Sequence, residues 1–328
     1  MATGQLAAAG GTGNLHSLLR RHETVLFVIL VVALIVLATQ TDRFLTADNL
    51  LNQGRLMTEV GLIALPMTFI IITGGIDLSV GSIMGLCAIM LGYGWKNLGL
   101  PLELSIGLAM LLGALAGYVN GWFITRVRVP PLIMTLATLA LYRGLAEGIS
   151  QARSVRGYPE WFFVLGQGDV LGVPTQLWLL LVAAVVAAIV LARTSFGRML
   201  YAIGNNETAA RFSGVPVDRC KLAIYTLSGL AGGIAAWIFV SRVSTTRSDM
   251  GTGVELDVIA AVVLGGTSIF GGTGTILGTA LGVILVQLLK NGLALTGVKG
   301  DATIVVIGTV LILSILVSNF LQSRRGSD

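Results

Sequence analysis

The stretch IITGGIDLSVGSIMG, from Ile71 to Gly85, carries a carboxylate, Asp77, among some of the most apolar residues of the chain. In a lipid-embedded helix an ionised side chain costs about 2.5–3.5 kcal/mol at the bilayer centre. Such a group is kept where it pairs with other polar groups, relays protons or contacts a transported solute. Asp77 is therefore the first residue of this sequence to which chemistry can be assigned.

The backbone just before Asp77 is expected to break. From residue 60 to residue 95 no other residue is charged, and this run is too long for one ordinary span of roughly 20 residues. Gly74 and Gly75 tolerate the backbone angles that an interruption requires. The sequence therefore predicts that one helix ends near these glycines and that a new helix starts after them.

Asp77 has a specific predicted role at the start of that new helix. The first N–H groups of a helix have no partner within it, and an aspartate there accepts from amides two or three residues on, here Ser79 and Val80. The positive end of the helix dipole also suits its charge. Two interpretations stay open: Asp77 is a structural cap alone, or it is a cap that also shapes a solute pathway.

A second polar segment, residues 193–219, carries four arginines against one glutamate and one aspartate. Within it, Ala209 and Ala210, followed after three residues by Gly214, predict a short helix, a turn and an exit. Basic loops are common on the cytoplasmic face of membrane proteins. The positive charge by itself therefore assigns no role to this segment.

Several other chemistries are excluded by what the chain lacks. Its two histidines and two cysteines cannot assemble a nucleophile–base pair or a metal cluster. No G-x-x-x-x-G-K-[ST] motif occurs in the sequence, so the chain does not bind ATP through a P-loop. We therefore expect no catalytic residue, no metal and no cofactor of its own.

The composition sets the class of protein in which these residues act. Hydrophobic residues make up 55% of the 328 residues and charged residues only 11%, and the mean hydropathy is +0.87. Soluble domains carry about 25% charged residues, so this chain cannot cover itself with polar groups. We predict an all-α polytopic membrane protein. The net charge of +5 fits basic residues kept in cytoplasmic loops, and no nucleic-acid partner is expected.

Runs of roughly 20 apolar residues predict about ten transmembrane helices, some of them broken at glycine-rich segments. Their approximate bounds are 24–40, 58–73, 77–95, 104–125, 130–150, 174–192, 220–241, 255–270, 275–294 and 301–320. The basic clusters then place both termini and residues 193–219 in the cytoplasm, whereas 41–57, 151–173 and 242–254 face outward. The predicted domains are a cytoplasmic tail (1–23), a transmembrane domain (24–320) and a second cytoplasmic tail (321–328).

Glycines recur at four-residue spacing, which lets helices approach closely in lipid. The groups are Gly81 with Gly85, Gly113 with Gly117 and Gly121, Gly229 with Gly233, and Gly274 with Gly278 and Gly282. A weak internal repeat also relates the segment around Asp77 to AVVLGGTSIFGGTGTILG, Ala261 to Gly278. Three explanations stay open: the repeat is parallel, the span count is off by one, or glycine alone makes the segments alike.

Three motifs in register resemble one known family. They are GGIDLSVGS (Gly74–Ser82), FGRMLYAIGNNETAARFSGV (Phe196–Val215) and VIAAVVLGGTSIFGGTGTILGTALG (Val258–Gly282). In sequence, order and separation they resemble the membrane permeases of ribose-type bacterial ABC importers, and the similarity covers essentially the whole chain after the N-terminal tail. ATLALYRG (Ala137–Gly144) resembles the branch that handles rhamnose or the autoinducer-2 signal.

The resemblance implies an inner-membrane permease subunit that translocates a sugar or sugar-like solute of the pentose, rhamnose or autoinducer-2 class. A periplasmic binding protein would deliver the solute, and two ABC ATPase subunits would bind the ATP and dock on the cytoplasmic face. A second permease, identical or homologous, would complete a dimer in the lipid membrane. The chain itself would then be a transporter subunit and no enzyme.

The resemblance also implies two sets of site residues. The broken segments 71–85 and 264–278 would line the translocation pathway, with Gly74, Gly75, Asp77, Ser79, Asn120, Gly265, Gly266 and Thr267. The ATPase-coupling residues would be Phe196, Gly197, Arg198, Asn205, Glu207, Ala209, Ala210 and Gly214. ABC permeases have glutamate directly before the two alanines of this loop, whereas here that position is Thr208 and Glu207 comes one residue early.

Three alternative functions stay open beside this one. An ion-coupled secondary transporter would need an acidic relay or an ion cage near the membrane midplane, and Asp77 is the carboxylate available for it. A passive channel would conduct solute without ATP. A permease for branched-chain amino acids shares the broad plan of the ribose-type family but fits the three motifs less well.

Overall fold

The computed structural model describes residues 22–40 and 43–298, together with residues 302, 305, 308, 309 and 312, which are helical. Most of the predicted N-terminal tail, most of the predicted span 301–320 and the whole C-terminal tail lie outside the described residues.

The described part of the chain is mostly helical. Its long helices are α1 (His22–Gln40), α2 (Ala47–Ile72), α3 (Val80–Lys96), α4 (Leu102–Trp122, extended by a π turn at Phe123–Val127), α5 (Pro131–Ser150), α7 (Thr175–Arg193), α10 (Val217–Val243) and α12 (Ile276–Leu295). Its shorter helices are α6 (Val164–Gln167), α8 (Ser195–Asn205), α9 (Glu207–Phe212) and α11 (Val254–Leu264), with a 3₁₀ turn at Glu160–Phe163.

Four two-residue strands qualify the prediction of an all-α fold. Strand β1 (Val155–Arg156) pairs antiparallel with β4 (Thr245–Thr246), and β2 (Asp169–Val170) pairs antiparallel with β3 (Val173–Pro174). Strand β4 follows the C-terminal end of α10, whereas α8 and α9 come before the N-terminal end of α10. We call these two ends of the bundle the sheet end and the α8 end.

Six of the described helices are long and apolar enough to cross a membrane: Ala47–Ile72, Leu102–Val127, Pro131–Ser150, Thr175–Arg193, Val217–Val243 and Ile276–Leu295. Two further apolar helices, Leu26–Gln40 and Val80–Lys96, are shorter. The predicted count of about ten is therefore not reached among the described residues. The sides on which the termini lie stay predictions.

Two predicted boundaries are wrong. The expected span 255–270 contains α11, which ends at Leu264, because Gly265 follows and Gly266 has a positive φ of 89°. The expected outward loop 41–57 is helical from Ala47, because the Thr46 hydroxyl accepts from the Asn49 amide (3.4 Å) and starts α2 early. In both places a local signal at the end of the helix outweighs the hydropathy on which the spans were predicted.

Helix α10 lies in the core, where it packs against α2, α3 and α4. Its contact with α4 is made through glycines: a Cβ on Gly113 would lie 2.4 Å from the Gly229 carbonyl oxygen, and one on Gly117 would lie 2.1 Å from that of Tyr225. The backbones of the two helices therefore touch. The prediction that these glycines allow close helix approach is confirmed.

The glycines of α3 have a different use from the one predicted. Gly81, Gly85 and Gly92 form a glycine face on this helix, and a non-helical part of the chain packs against this face. Added Cβ atoms on them would lie 2.3 Å from the Gly251 carbonyl oxygen, 2.7 Å from that of Met250 and 3.0 Å from the Thr246 hydroxyl. We call residues 247–253, which connect β4 to α11 along this face, the inserted segment. The interpretation of Gly81 and Gly85 as a helix–helix contact is wrong.

Both predicted helix breaks are present and they meet. The first lies between α2 and α3, and the second lies between α11 and α12. The Gly272 amide of the second break donates to the Ile72 carbonyl at the end of α2 (2.9 Å). Because α2 and α11 pack side by side and their C-terminal ends lead into breaks that touch, the two segments of the weak repeat run parallel.

Candidate functional site

Asp77 lies in the first break, fully buried between the end of α2 and the start of α3. Its Oδ1 accepts from the Ser79 amide (3.0 Å) and from the Ser79 hydroxyl (2.6 Å). Val80 does not complete the predicted pair of amide donors, because α3 starts with Ser79 as its N-cap and Asp77 forms a turn two residues earlier. The prediction of a local cap is thus right for Ser79 and wrong for Val80.

Two distant elements complete the surroundings of Asp77. Ser228 on α10 donates its hydroxyl hydrogen bond to Asp77 Oδ2 (3.1 Å). Asn120 on α4 donates from Nδ2 to the Ser79 hydroxyl oxygen (2.8 Å), whereas its buried Oδ1 has no hydrogen-bond partner. The carboxylate therefore accepts three hydrogen bonds in a site shared by the first break, α4 and α10.

The backbone of the break is held by the same surroundings. The Ile76 carbonyl oxygen accepts from the Tyr225 hydroxyl (3.4 Å) and from the Thr135 hydroxyl (3.3 Å). Gly75 has to be glycine here, because an added Cβ would lie 2.7 Å from the Tyr225 hydroxyl oxygen, and Gly74 has a positive φ of 74°. Irregular backbone is tolerated at this depth because protein groups satisfy it.

The second break does not join this cluster through the residues that were predicted. A Cβ on Gly265 would lie 2.5 Å from the Gly278 carbonyl oxygen, so Gly265 serves the close contact between α11 and α12. Gly266 provides the positive φ that turns the chain. Thr267 is buried, and its hydroxyl has no hydrogen-bond partner.

The predicted coupling segment folds into α8 and α9. The Thr194 hydroxyl accepts from the Gly197 amide (3.3 Å) at the start of α8, and the Asn206 side chain accepts from the Ala209 amide (2.9 Å) at the start of α9. Gly214, with a φ of 82°, ends the α9 turn. The prediction of a short helix, a turn and an exit is confirmed, with a further helix before it.

The remaining coupling residues have distinct positions. Ala210 is buried, whereas Ala209 and Arg198 are exposed. Phe196 is half-buried against the core. Asn205 donates from Nδ2 to the Tyr201 carbonyl oxygen (2.9 Å) and lies against Gly272, whose added Cβ would lie 2.7 Å from its Oδ1.

Glu207 anchors α9 to α10. Its Oε1 accepts from Arg211 (3.2 Å) and its Oε2 from Lys221 on α10 (2.6 Å), while Arg211 also donates to Asp218 at the start of α10 (2.8 Å). Partial burial raises the pKa of the Glu207 carboxyl, but hydrogen bonding and charge attraction from Lys221 and Arg211 outweigh it. The pKa is thereby held below its ordinary value of 4.5.

Helix α8 contacts both breaks at once. A Cβ on Gly204 would lie 1.8 Å from the Ile72 carbonyl oxygen and 2.4 Å from the Gly272 nitrogen. The Tyr201 hydroxyl donates to the Gly274 carbonyl oxygen (2.7 Å). A displacement of α8 would therefore act directly on the backbone that interrupts the bundle.

The structure brings together Gly75, Asp77, Ser79 and Asn120, but it adds partners that sequence reasoning missed. Ser228 and Tyr225 lie about 150 residues from Asp77 in the sequence, and Gly204 and Tyr201 were not singled out within their motif. Glycine-rich neighbours, such as SGLAGG from Ser228 onward, are the signal that could have pointed to a close contact. Among the residues that the structure describes, no group of three or more His, Cys, Asp or Glu side chains could hold a metal ion.

The apolar helices, the interrupted backbone around a buried polar cluster and the segment that contacts both interruptions agree with the predicted class, a membrane permease. The chain belongs to the family described as "Branched-chain amino acid transport system / permease component", whose model matches residues 49–315. Permeases of this family are multi-pass inner-membrane proteins, and the six apolar helices agree with that location.

Curated relatives are similar over almost the whole chain. The autoinducer 2 import system permease protein LsrD of Escherichia coli strain K12 is 38% identical over 300 residues, which cover 90% of this chain and 91% of that protein. The proteins of that name from Shigella flexneri and from Escherichia coli O157:H7 match to the same extent. No solved structure matches the chain. The resemblance to sugar-type importer permeases of the autoinducer-2 branch is confirmed.

Proposed function

We propose that this chain is the membrane subunit of an ATP-driven ABC importer that translocates autoinducer 2 or a chemically similar sugar-like solute. The 38% identity over 90% of the chain to permeases named for autoinducer 2 import supports the solute class. Capture of the solute is assigned to a separate binding protein, which would dock on the segments 151–173 and 242–254 at the sheet end. A second permease, identical or homologous, would complete the pathway.

The observation that carries this proposal is the contact of α8 with both breaks. Tyr201 and Gly204 lie against backbone atoms of Gly274 and Ile72 without intervening side-chain layers. A movement imposed on α8 and α9 by ATPase subunits would therefore reach the interrupted helices within one layer of contacts. The ion pairs of Glu207 with Lys221 and of Arg211 with Asp218 would make α9 move together with α10.

Phe212 is the residue that we assign to the ATPase contact. It ends α9 and is 89% exposed, although it is large and apolar. Aromatic side chains that fill a pocket on a partner carry much of the binding free energy of interfaces. We therefore place Phe212 in a pocket of the ATPase subunit, with Glu207 and Arg211 fixing the direction in which α9 presents it.

Asp77, Ser79 and Asn120 would lie beside the solute pathway, with Gly74 and Gly75 supplying the break and Gly265 to Thr267 the second one. The unpartnered Oδ1 of Asn120 supports this assignment, because a hydroxyl-bearing solute offers the donor that it lacks. An ion-coupled mechanism has less support, because Asp77 is fully engaged by the hydroxyl and amide donors of Ser79 and Ser228.

A branched-chain amino acid is the second candidate solute, favoured by the description of the matching family. Uptake by cells that express the complete importer separates the two candidates. We expect labelled autoinducer 2 to enter and an excess of leucine to leave its uptake unchanged. Strong competition by leucine would overturn the proposed solute class.

The coupling role is tested by Phe212→Ala in the reconstituted importer. Since Phe212 is exposed, the substitution leaves the bundle intact. We expect ATPase stimulation by the loaded binding protein to fall on the order of tenfold, the loss typical of a removed interface anchor.

Leu136→Ala provides the matched control, because Leu136 is also a large exposed apolar residue but lies on α5, outside α8, α9 and the segments 151–173 and 242–254. We expect the loaded binding protein to stimulate ATPase activity fully in the importer that carries this variant. If Phe212→Ala retained full stimulation as well, the assignment of α9 to the ATPase contact would be wrong.

A further inference from the structure

The inserted segment, residues 247–253, enters the bundle from the sheet end without helical structure of its own. It follows the glycine face of α3 from Gly92 toward Gly81 and leads into α11. Residues 248–253 form successive turns, and non-helical backbone inside a membrane protein needs partners from neighbouring elements for the polar groups that its own turns leave free. The question is therefore which side chain supplies these partners.

Arg143 on α5 supplies them. Its Nη1 donates to the Ser248 carbonyl oxygen (2.6 Å) and to the Met250 carbonyl oxygen (2.8 Å), and its Nη2 donates to the Gly81 carbonyl oxygen (3.4 Å). One guanidinium thereby joins α5, α3 and the inserted segment. Hydrogen bonds from a charged donor are roughly twice as strong as neutral ones.

The glycine face is shaped to admit this guanidinium. A Cβ on Gly85 would lie 2.8 Å from Arg143 Nη1 and 2.7 Å from the Met250 carbonyl oxygen. A side chain at position 85 would therefore displace both members of the contact. The glycine at position 85 leaves room for the Arg143 guanidinium. Helix packing alone therefore does not explain either residue.

Three carboxylates lie near Arg143: Glu255 at the start of α11, Glu147 one turn further along α5, and Asp249 within the inserted segment. Asp249 already pairs with Arg247. Glu255 Oε2 is buried without a hydrogen-bond partner. Glu255 therefore offers the guanidinium a second partner at the site, available if the inserted segment leaves its carbonyls.

We propose that Arg143 is the positioning residue that seats the inserted segment on the glycine face of α3 and so closes the sheet end of the bundle. Release of the Ser248 and Met250 carbonyls, with Arg143 turning to Glu255, opens it. The role of this step in solute passage rests on the proposed function, but the seating itself is a property of this chain alone.

The test uses thiol labelling of the full chain in detergent micelles, where both ends of the bundle meet solvent. Met250→Cys replaces a buried side chain and keeps the carbonyl that Arg143 binds. We expect slow reaction of this cysteine with a water-soluble maleimide. Adding Arg143→Gln should raise the rate on the order of tenfold or more, because charged hydrogen bonds to the segment are lost. Arg143→Lys should give an intermediate rate.

Internal controls separate release of the segment from unfolding. The native Cys87 and Cys220 are both buried, so they label only when the bundle opens as a whole. Leu98→Cys reports an exposed position just after α3, outside the cavity that Arg247, Ser248 and Asp249 line, and should react equally in all backgrounds. If Arg143→Gln also exposes Cys87, that substitution has unfolded the bundle. The test then rests on Arg143→Lys, which should raise the labelling rate of Met250→Cys while Cys87 stays protected.

Unchanged protection of Met250→Cys in both Arg143 variants would overturn the proposal, as would rapid labelling with Arg143 in place. The measurement requires neither ATPase nor solute. Its failure is therefore distinguishable from a failure of the proposed import function, which the reconstituted importer tests separately.

Discussion

At the scale of single residues, Asp77 is kept in apolar surroundings by hydrogen bonds rather than by a counter-charge. Three donors from Ser79 and Ser228 approach its two oxygens. Burying a carboxylate without such donors would cost on the order of several kcal/mol. These hydrogen bonds explain why Asp77 is tolerated in apolar surroundings. Whether Asp77 also contacts the solute is a separate question, which mutation can answer.

Replacing Asp77 distinguishes these two properties. Asp77→Asn keeps an oxygen for the Ser79 donors, and the Ser228 hydroxyl can rotate to accept from the new amide. We expect the asparagine variant to fold with nearly unchanged thermal stability. Asp77→Ala leaves the donors of Ser79 and Ser228 buried without partners, at about 1–3 kcal/mol each, and should accumulate poorly.

Uptake by the asparagine variant then decides the role of the charge. A folded Asp77→Asn permease with reduced uptake would mean that the carboxylate also serves the pathway. Full uptake would leave Asp77 as a structural cap alone. A well-folded Asp77→Ala variant would contradict the structural role of Asp77. The amount of purified protein and its melting temperature show whether this variant folds.

At the scale of elements, glycine faces determine which parts of the chain touch. On α4, Gly113 and Gly117 bring the backbone of α10 into contact, whereas on α3 the equivalent spacing admits the turns of the inserted segment and a guanidinium. Without a hydrophobic driving force between helices in lipid, such close contacts supply the van der Waals attraction that holds the bundle. The same residue type therefore supports two kinds of contact.

The α4–α10 contact predicts a difference between two glycines of one helix. A Cβ on Gly117 would lie 2.1 Å from the Tyr225 carbonyl oxygen, whereas one on Gly107 would meet nothing within 4 Å. Gly117→Ala should lower the free energy of unfolding by about 1–3 kcal/mol, as overpacking does. Melting of the purified variants in detergent measures this difference.

Gly107→Ala is the matched control for that substitution. Alanine in an exposed helix position is favoured over glycine by roughly 0.5–1 kcal/mol, so this variant should melt at the same temperature or slightly higher. Equal losses in both variants would show that any added methyl group on α4 is harmful, and would contradict the specific contact with Tyr225.

At the scale of the whole molecule, two helix breaks meet beside α8, and the sequence contains no P-loop for ATP. Helices α8 and α9 lie at one end of α10, and the inserted segment lies along α3 from the other end. A displacement at the α8 end would therefore be transmitted through α2, α10 and the break loops toward the sheet end.

This arrangement predicts that the chain alone is inactive. Purified without partners and placed in liposomes, it should neither hydrolyse ATP nor concentrate autoinducer 2, because its sequence carries no P-loop and the proposed mechanism depends on movement imposed by the ATPase subunits. Addition of the ATPase subunits, the second permease and the loaded binding protein should start both activities. Accumulation of solute driven by an ion gradient, in the absence of ATP, would instead favour a secondary transporter.

The sequence by itself determined the features that depend on composition and on short-range contacts. The apolar composition gave the membrane class, three motifs gave the family, and the Gly74-Gly75 pair gave the first break. The hydrogen bond from the Ser79 amide to Asp77 spans two residues, and the N-cap of α9 at Asn206 spans three. Such contacts form within one turn of chain, so the residue types almost suffice to predict them.

Only the tertiary structure decided which distant parts of the chain meet. Ser228 and Asn120 reach the Asp77 site from α10 and α4, and Arg143 reaches the inserted segment from α5. Glycine spacing permits a close neighbour without saying whether that neighbour is a helix or a non-helical segment of turns. Its identity is fixed by the packing of the complete bundle, because each contact depends on where several helices end and how they cross.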